Sequence, residues 1–216
     1  MSVAKAKSRP RPRQRAEQQR SIETRATIMD AAIAEFAEKG FEAASIRSIA
    51  ERTGIQHPLI TYHYRTKDIL WRAAAEHAFG RIKTEWDSDT SKTLQPLERL
   101  REEYRVLFRY TASFPEFHRF MRQECTYQNP RLEWVAETVV KPLLDRLLPQ
   151  IKAAQKAGLL PAVQPILFHY MMVSLTATLS EFGPEMVVTS GISPSHKKTV
   201  AAYWDMVEDT VFKDRK

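Results

Sequence analysis

Apolar residues recur at three- and four-residue intervals along most of this chain, the spacing that lines one face of an α-helix. Over residues 24–39 the stripe is Ile28, Ala32 and Phe36; Gly40 ends it and Phe41 packs back on the core. Ile46, Ile49 and Ala50 predict a short helix, broken at Thr53-Gly54-Ile55, where glycine can take positive φ without steric cost. A second short helix follows from about Gln56 to His63, with Pro58 in its first turn, where a missing N–H costs little. Thr66 then suits the N-cap of a longer helix to about Trp86, with Ile69 and Leu70 inward, closed by the polar stretch DSDTSKT.

Two short helices joined by a tight glycine turn predict a helix-turn-helix, whose second helix lies in a DNA major groove. The outward side of that helix offers Gln56, His57, Thr61 and Tyr62 to bases or phosphates. The competing reading is an ordinary helical hairpin inside a bundle.

Beyond Pro96 the punctuation continues. Leu97, Leu100, Tyr104, Leu107 and Phe108 form a stripe ending near Ser113-Phe114-Pro115. Phe117, Phe120, Met121 and Glu124 mark a short helix. Asn129 caps, and Pro130 opens, a segment to Gly158 that Pro142 and Pro149 should kink or break. Residues 164–182 are apolar nearly all round, so this helix must be covered on every side. The last helix, about residues 195–212, offers Val200, Tyr203, Trp204, Val207 and Val211.

The segment AAIAEFAEKGFEAASIRSIAERTGIQHPLITYHYRTKDIL, residues 31–70, resembles the N-terminal domain of TetR-type repressors. The likeness includes Lys39-Gly40-Phe41, Ile49-Ala50, Gly54-Ile55, Tyr62-His63-Tyr64 and the Lys67-Asp68-x-Leu70 start of the next helix. Beyond about residue 72 it is one of length and helical layout only.

The resemblance implies DNA contacts position by position. Ser45 would touch a phosphate and Arg47 a base edge. Gln56, His57, Pro58 and Leu59 would approach bases, the last two through a thymine methyl. Tyr62, His63 and Lys67 would grip the backbone. Thr61 stands where the family usually has tyrosine and Leu59 where threonine is common, which puts the operator sequence in question and leaves DNA binding untouched. The resemblance also implies a homodimer through the last two long helices, with Phe168, Met171, Leu175, Leu179, Val200, Trp204, Val207 and Val211 at the interface. Burial of residues 164–182 inside one bundle is the alternative.

The expected architecture is therefore all-α, with about nine helices. A basic arm (residues 1–20) precedes the helix-turn-helix domain (21–66) and a larger helical domain for effector binding and dimerisation (67–216). Charge sharpens the division. Eight basic side chains stand against two acidic ones up to Arg25, so six of the seven net positive charges lie there. Residues 1–20 hold Pro10 and Pro12 and almost no large apolar group, so alone they should be disordered, free to neutralise phosphates or reach a minor groove. A merely solubilising tail is the alternative.

With 43% hydrophobic content the chain can bury a real core. One cysteine, Cys125, excludes an internal disulfide framework and fits a cytoplasmic protein; a buried, inert thiol is its expected state. No apolar run approaches the ~20 residues of a spanning helix, and no signal-peptide core is present.

Enzymatic readings are weak. The chain has no glycine-rich phosphate loop and no Cys or His pair at metal spacing, so neither a metal nor another cofactor is expected. His118 and Glu124 could be drawn as a hydrolytic pair, but six helical steps place them roughly 120° apart. A pocket for a small-molecule effector is the better expectation, drawn from Arg105, Phe108, Arg109, Phe117, Met121, Glu124, Trp134, His169 and Met172. The sequence thus points to a DNA-binding regulator, a homodimeric repressor leaving a palindromic operator when an effector binds. A helical protein-interaction module without specific DNA binding is the alternative.

Overall fold

The computed structural model describes residues 12–89, 94–125 and 127–212, and no strand occurs among them. Eleven α-helices follow in order. They are α1 (Pro12–Ala43), α2 (Ile46–Thr53), α3 (His57–His63), α4 (Lys67–Asp89), α5 (Pro96–Ser113) and α6 (Pro115–Cys125). Next come α7 (Pro130–Val135), a π-helical turn (Ala136–Val140), α8 (Lys141–Lys156), α9 (Pro165–Glu181), α10 (Gly183–Ser190) and α11 (Lys197–Val211).

Helices α1 to α3 and the start of α4 form the head. Ile28, Ala32, Ile33 and Phe36 of α1 are buried with Ile49 and Ala50 of α2, Ile60 of α3, and Leu70, Trp71 and Ala74 of α4. This core does not close on itself. Phe120 of α6 brings its ring 5.3 Å from Trp71 and 6.3 Å from Phe36, and Trp134 of α7 meets Trp71 at 6.0 Å. So small a head would be only marginally stable by itself, and the following helices complete its core.

The body packs around α5, whose Leu100, Tyr104, Leu107, Phe108 and Tyr110 are buried. Polar ties fix its neighbours. Trp86 of α4 donates to the Glu103 carbonyl at 2.7 Å, Thr111 to the Thr176 carbonyl of α9 at 2.7 Å, and Tyr203 of α11 to the Leu175 carbonyl at 2.8 Å. Glu103, with no exposed surface, accepts from Arg146 Nε (2.8 Å) and Gln150 Nε2 (2.7 Å) of α8. Arg146 also reaches Asp87 at 2.7 Å, so α4, α5 and α8 meet in one knot.

Several expectations are revised. Helix α1 starts at Pro12 instead of Thr24, since proline suits a first turn and Ala16, Glu17, Gln18, Gln19 and Arg20 are helix formers. Residues 17–23 of this extension are exposed; residues 1–11, and the side chains of residues 12–16, lie outside the described ones. Helix α4 continues to Asp89 into the stretch read as a loop, of which residues 90–93 lie outside the described ones. Pro142 does disturb the 130–158 segment. Its ring blocks the bond to residue 138 and the preceding turn widens, Lys141 N–H reaching the Ala136 carbonyl. Pro149 is carried inside α8 without a break. Helix α10 was not foreseen, and Cys125 is exposed at the end of α6 instead of buried.

The residues expected at the interface divide between the inside of the chain and its surface. Phe168, Leu179, Trp204 and Val207 are buried within the single chain. Helix α11 has one apolar stripe and α5 takes it: Phe108 stacks on Trp204 at 5.3 Å and on Tyr203 at 5.6 Å. Of the eight residues expected at the interface, Met171 is the one that is well exposed, while Leu175, Val200 and Val211 are half-buried.

The expected pocket residues are dispersed as well. Phe108, Phe117 and Met172 are core, and Arg105 pairs with Glu208 of α11 at 2.8 Å. Arg109 is exposed, and Met121 is half-buried against the core. Glu124 binds Arg131 at 2.8 Å, and Trp134 faces α4. His169 accepts from or donates to the Tyr104 hydroxyl at 3.0 Å, buried between α5 and α9. None of the nine lines the cleft of about 510 Å³ between α5 and α11 (Leu97, Glu98, Arg101, Asp205, Glu208, Asp209, Phe212).

Candidate nucleic-acid interface

Helices α2 and α3 are short, and each is fixed by local bonds. Ser45 caps α2, its hydroxyl oxygen accepting from Ser48 N–H at 3.0 Å. Gly54 ends α2 at φ 68°, in the left-handed region. Thr53 pins the turn: its hydroxyl donates to the Ala50 carbonyl and accepts from Ile55 N–H, both at 3.1 Å. Ile60, with no exposed surface, anchors α3 from below. Its other side is then free. Gln56, His57, Pro58, Leu59, Tyr62 and His63 are all exposed, Leu59 by 43% and Tyr62 by 78%.

An apolar side chain and a phenol held in water on a rigid seven-residue helix gain nothing for the fold. They are suited to a surface that presents methyl groups and phosphates. Thr61 is half-buried and turns its hydroxyl back to the His57 and Pro58 carbonyls, both at 3.1 Å. That bonding removes it from the outward set.

Arg47 projects from the first turn of α2, 84% exposed, its ion pair with Glu51 at 3.3 Å equally in water. Such a pair contributes a few tenths of a kcal/mol, roughly, and yields easily to a stronger acceptor. Lys67 is differently placed. Its ammonium donates to the carbonyls of Glu42 (3.0 Å) and Ala44 (3.1 Å) and lies 4.6 Å from the Phe41 ring centroid. It braces the head from inside, which leaves less of it for a phosphate than the sequence suggested. Arg65, also exposed, stands between α3 and Thr66. Thr66 does cap α4, accepting from Ile69 N–H at 3.1 Å.

A buried carboxylate sets α2 against α1. Glu35, with no exposed surface, receives Lys39 Nζ and Arg52 Nε, both at 2.8 Å; Lys39 also donates to Ser48 at 3.0 Å, and Arg52 reaches Glu38. Burial alone would raise the Glu35 pKa, but the hydrogen bonds from Lys39, Arg52 and Ser48 outweigh it and hold the carboxyl below its ordinary range. At the far end of α3, burial raises the Tyr64 pKa while the positive charge of Arg25 draws it back. The charge of Arg25 on α1 thus acts at the end of α3. Among the described residues no group of three His, Cys, Asp or Glu is placed to hold a metal ion.

Comparison with known proteins agrees with this geometry. Residues 28–74 match the family described as bacterial regulatory proteins, tetR family. The HTH-type transcriptional repressor Rv3405c of Mycobacterium tuberculosis is 46% identical over 55 residues, which cover 26% of this chain and 29% of that protein. An HTH-type regulator of Mycobacterium bovis matches equally, so the alignment spans well under a third of these relatives. Whole-chain likeness comes from solved structures. The transcriptional regulator SCO4942 of Streptomyces coelicolor is 25% identical, with a TM-score of 0.59 over 87% of this chain and 98% of its own. AibR, in complex with isovaleryl coenzyme A and operator DNA, shares the fold with a TM-score of 0.72 at 16% identity, over 88% of this chain and 99% of its own. The likeness to the tetR family of bacterial regulatory proteins is thus one of sequence over residues 28–74 and one of fold over most of the chain.

Proposed function

We propose that this protein is a sequence-specific DNA-binding transcriptional regulator, acting as a homodimer that represses from a palindromic operator and leaves it when a small molecule binds the body. The outward face of α3 carries the reading: six exposed side chains, apolar and polar, on a helix whose opposite side is locked by Ile60. Arg47, Gln56 and His57 are the base readers, Pro58 and Leu59 the methyl contacts, and Ser45, Tyr62, His63 and Arg65 the phosphate contacts. The basic start of α1 adds charge beside them.

The dimer rests on a second surface. Leu167, Tyr170 and Met171 of α9 are 60%, 54% and 43% exposed, and share a helical face with Ser174. Val187 and Val188 of α10, Ile192 and Met206 are exposed as well. An apolar patch of this extent favours a partner surface, and a second copy would set two reading helices about 34 Å apart. For the effector, the structure of AibR with an acyl-coenzyme A and DNA supports a fold that can take both kinds of ligand. The buried Tyr104–His169 pair is the polar anchor the body offers.

Selection of bound duplexes from a randomised library tests this directly. A palindrome should be enriched, and its affinity should fall steeply with salt. Enrichment of no common sequence would sink the proposal and favour an interaction module.

A further inference from the structure

Arg131, the second residue of α7, belongs to the body by sequence and to the head by contact. Its guanidinium carbon lies 3.7 Å from the centroid of the Phe41 ring, just past the end of the main α1 rod. Lys67 approaches the same ring at 4.6 Å. Arg131 Nε donates to buried Glu124 of α6 at 2.8 Å, and its Nη2 stands 3.7 Å from Glu42. The side chain is only 18% exposed, so its attractions to Glu124 and the ring are weakly screened, while Glu42, 87% exposed, adds little.

Both ends of this link are themselves held. On the body side Asn129 fixes the α6–α7 turn: its Oδ1 accepts from Arg131 and Leu132 N–H at 2.9 Å, and its Nδ2 donates to the Glu124 carbonyl at 3.2 Å. On the head side the turn at Gly40 takes φ 72°, which a side chain rarely adopts. A Cβ there would also come within 3.4 Å of Gln123 of α6. Phe41, Glu42 and Ala44 lead from that turn directly to Ser45, the cap of α2. The π-helical turn behind α7, where Lys141 N–H reaches the Ala136 carbonyl, interrupts the regular bonding between α7 and the α4–α5–α8 knot.

We infer that Arg131 is a positioning residue, through which the α6–α7 corner sets the attitude of the turn that starts α2. The inference rests on the DNA-reading proposal, and it deepens it by naming where the body acts on the head. Movement of α7 would withdraw the guanidinium from Phe41 and Glu42, loosen the residue 40–45 turn, and change the angle at which Arg47 and α3 present themselves.

The test uses the full-length protein with the selected duplex and a random duplex of equal length. Arg131→Gln should weaken the selected duplex about tenfold, within the usual range of coupling between sites, and leave the random duplex unchanged. Arg131→Lys should restore part of the loss, since an ammonium can still face the ring. Phe41→Leu should give a similar loss that does not add to that of Arg131→Gln. Amide exchange at Ala44 and Ser48 should quicken in both variants while α9 stays protected. Equal losses on both duplexes, additive losses, or faster exchange throughout would make Arg131 a structural contact only and overturn the inference. A wild type with no preferred duplex would defeat the DNA-reading proposal, yet the exchange pattern would still decide whether the latch exists.

Discussion

Two glutamates without exposed surface, Glu35 and Glu103, organise the two ends of this molecule by different means. Glu35 collects Lys39 from its own helix and Arg52 from the next, seventeen positions on. Glu103 collects Arg146 and Gln150 from α8, more than forty positions on, and through Arg146 the end of α4. Within the head α1 and α2 are thus locked by neighbours in sequence, although α6 and α7 complete its core, and the surface it turns outward is one short helix. The body is built from distant partners, and the side chains that seemed to mark its function are mostly the cement. Reading DNA requires a contiguous rigid surface; sensing a ligand requires residues that only folding brings together.

The largest effect is expected from Val207→Asp, which places a carboxylate in a site only 3% exposed against α5. Without a partner it should cost on the order of 3–5 kcal/mol and lower the melting temperature of the whole chain. Leu167→Asp, on the exposed face of α9, should instead keep helical content and yield monomers by sedimentation. If Val207→Asp gave well-folded monomers, the division between core and partner surface drawn here would be wrong.

Acid should reach the two regions in sequence. Burial pushes His118 of α6 and His169 of α9 from an ordinary 6.5 down to about 4, with Arg122 adding to the effect on His118. Both are neutral in the folded chain and protonated more readily when unfolded. Their stabilisation is complete above pH 6.5 and is lost as pH falls toward 4, by up to about 1.4 kcal/mol per pH unit for each. Glu35, with its pKa lowered, contributes above its ordinary 4.5 and fails only below that. Denaturant titrations from pH 7.5 to 4.5 should show the loss, and His169→Gln should flatten it. An unchanged slope in that variant would remove His169 from the account.

Inside the head, Arg47→Ala should cost about 1–3 kcal/mol at the selected duplex and relax the preference at one base pair per half-site. Melting should be unaffected, since its ion pair with Glu51 is in water. Lys67→Ala should lower the melting temperature as well, because two backbone carbonyls lose their donor. Matching profiles for the two variants would show that Arg47 does not read bases. The smallest effect on folding belongs to deletion of residues 1–20. Melting should hardly move, as residues 17–20 are fully in water, while the dependence of DNA affinity on salt should lessen. Undiminished salt dependence would make the extension a passive tail.

The sequence by itself determined the head: Gly54, Pro58, the Ile49–Ala50 pair and the caps at Ser45 and Thr66 each act over a few residues, so their consequences can be read in order. It also determined the helical class and most helix starts, because capping and proline are local effects. It did not determine that Pro12 to Thr24 would be helical, where propensity outran the prolines, nor the widened turn ahead of Pro142. Which face of α9 and α11 would be spent inside the chain was decided only in three dimensions. An apolar stripe states that something must cover it, and whether α5 or a second copy does so depends on where α5 lies. For the same reason Glu124 looked like a pocket group in sequence and Arg131 drew no notice. Their role as a link to Phe41 exists only because folding carries α7 back across ninety residues to the end of α1, and no local rule records that return.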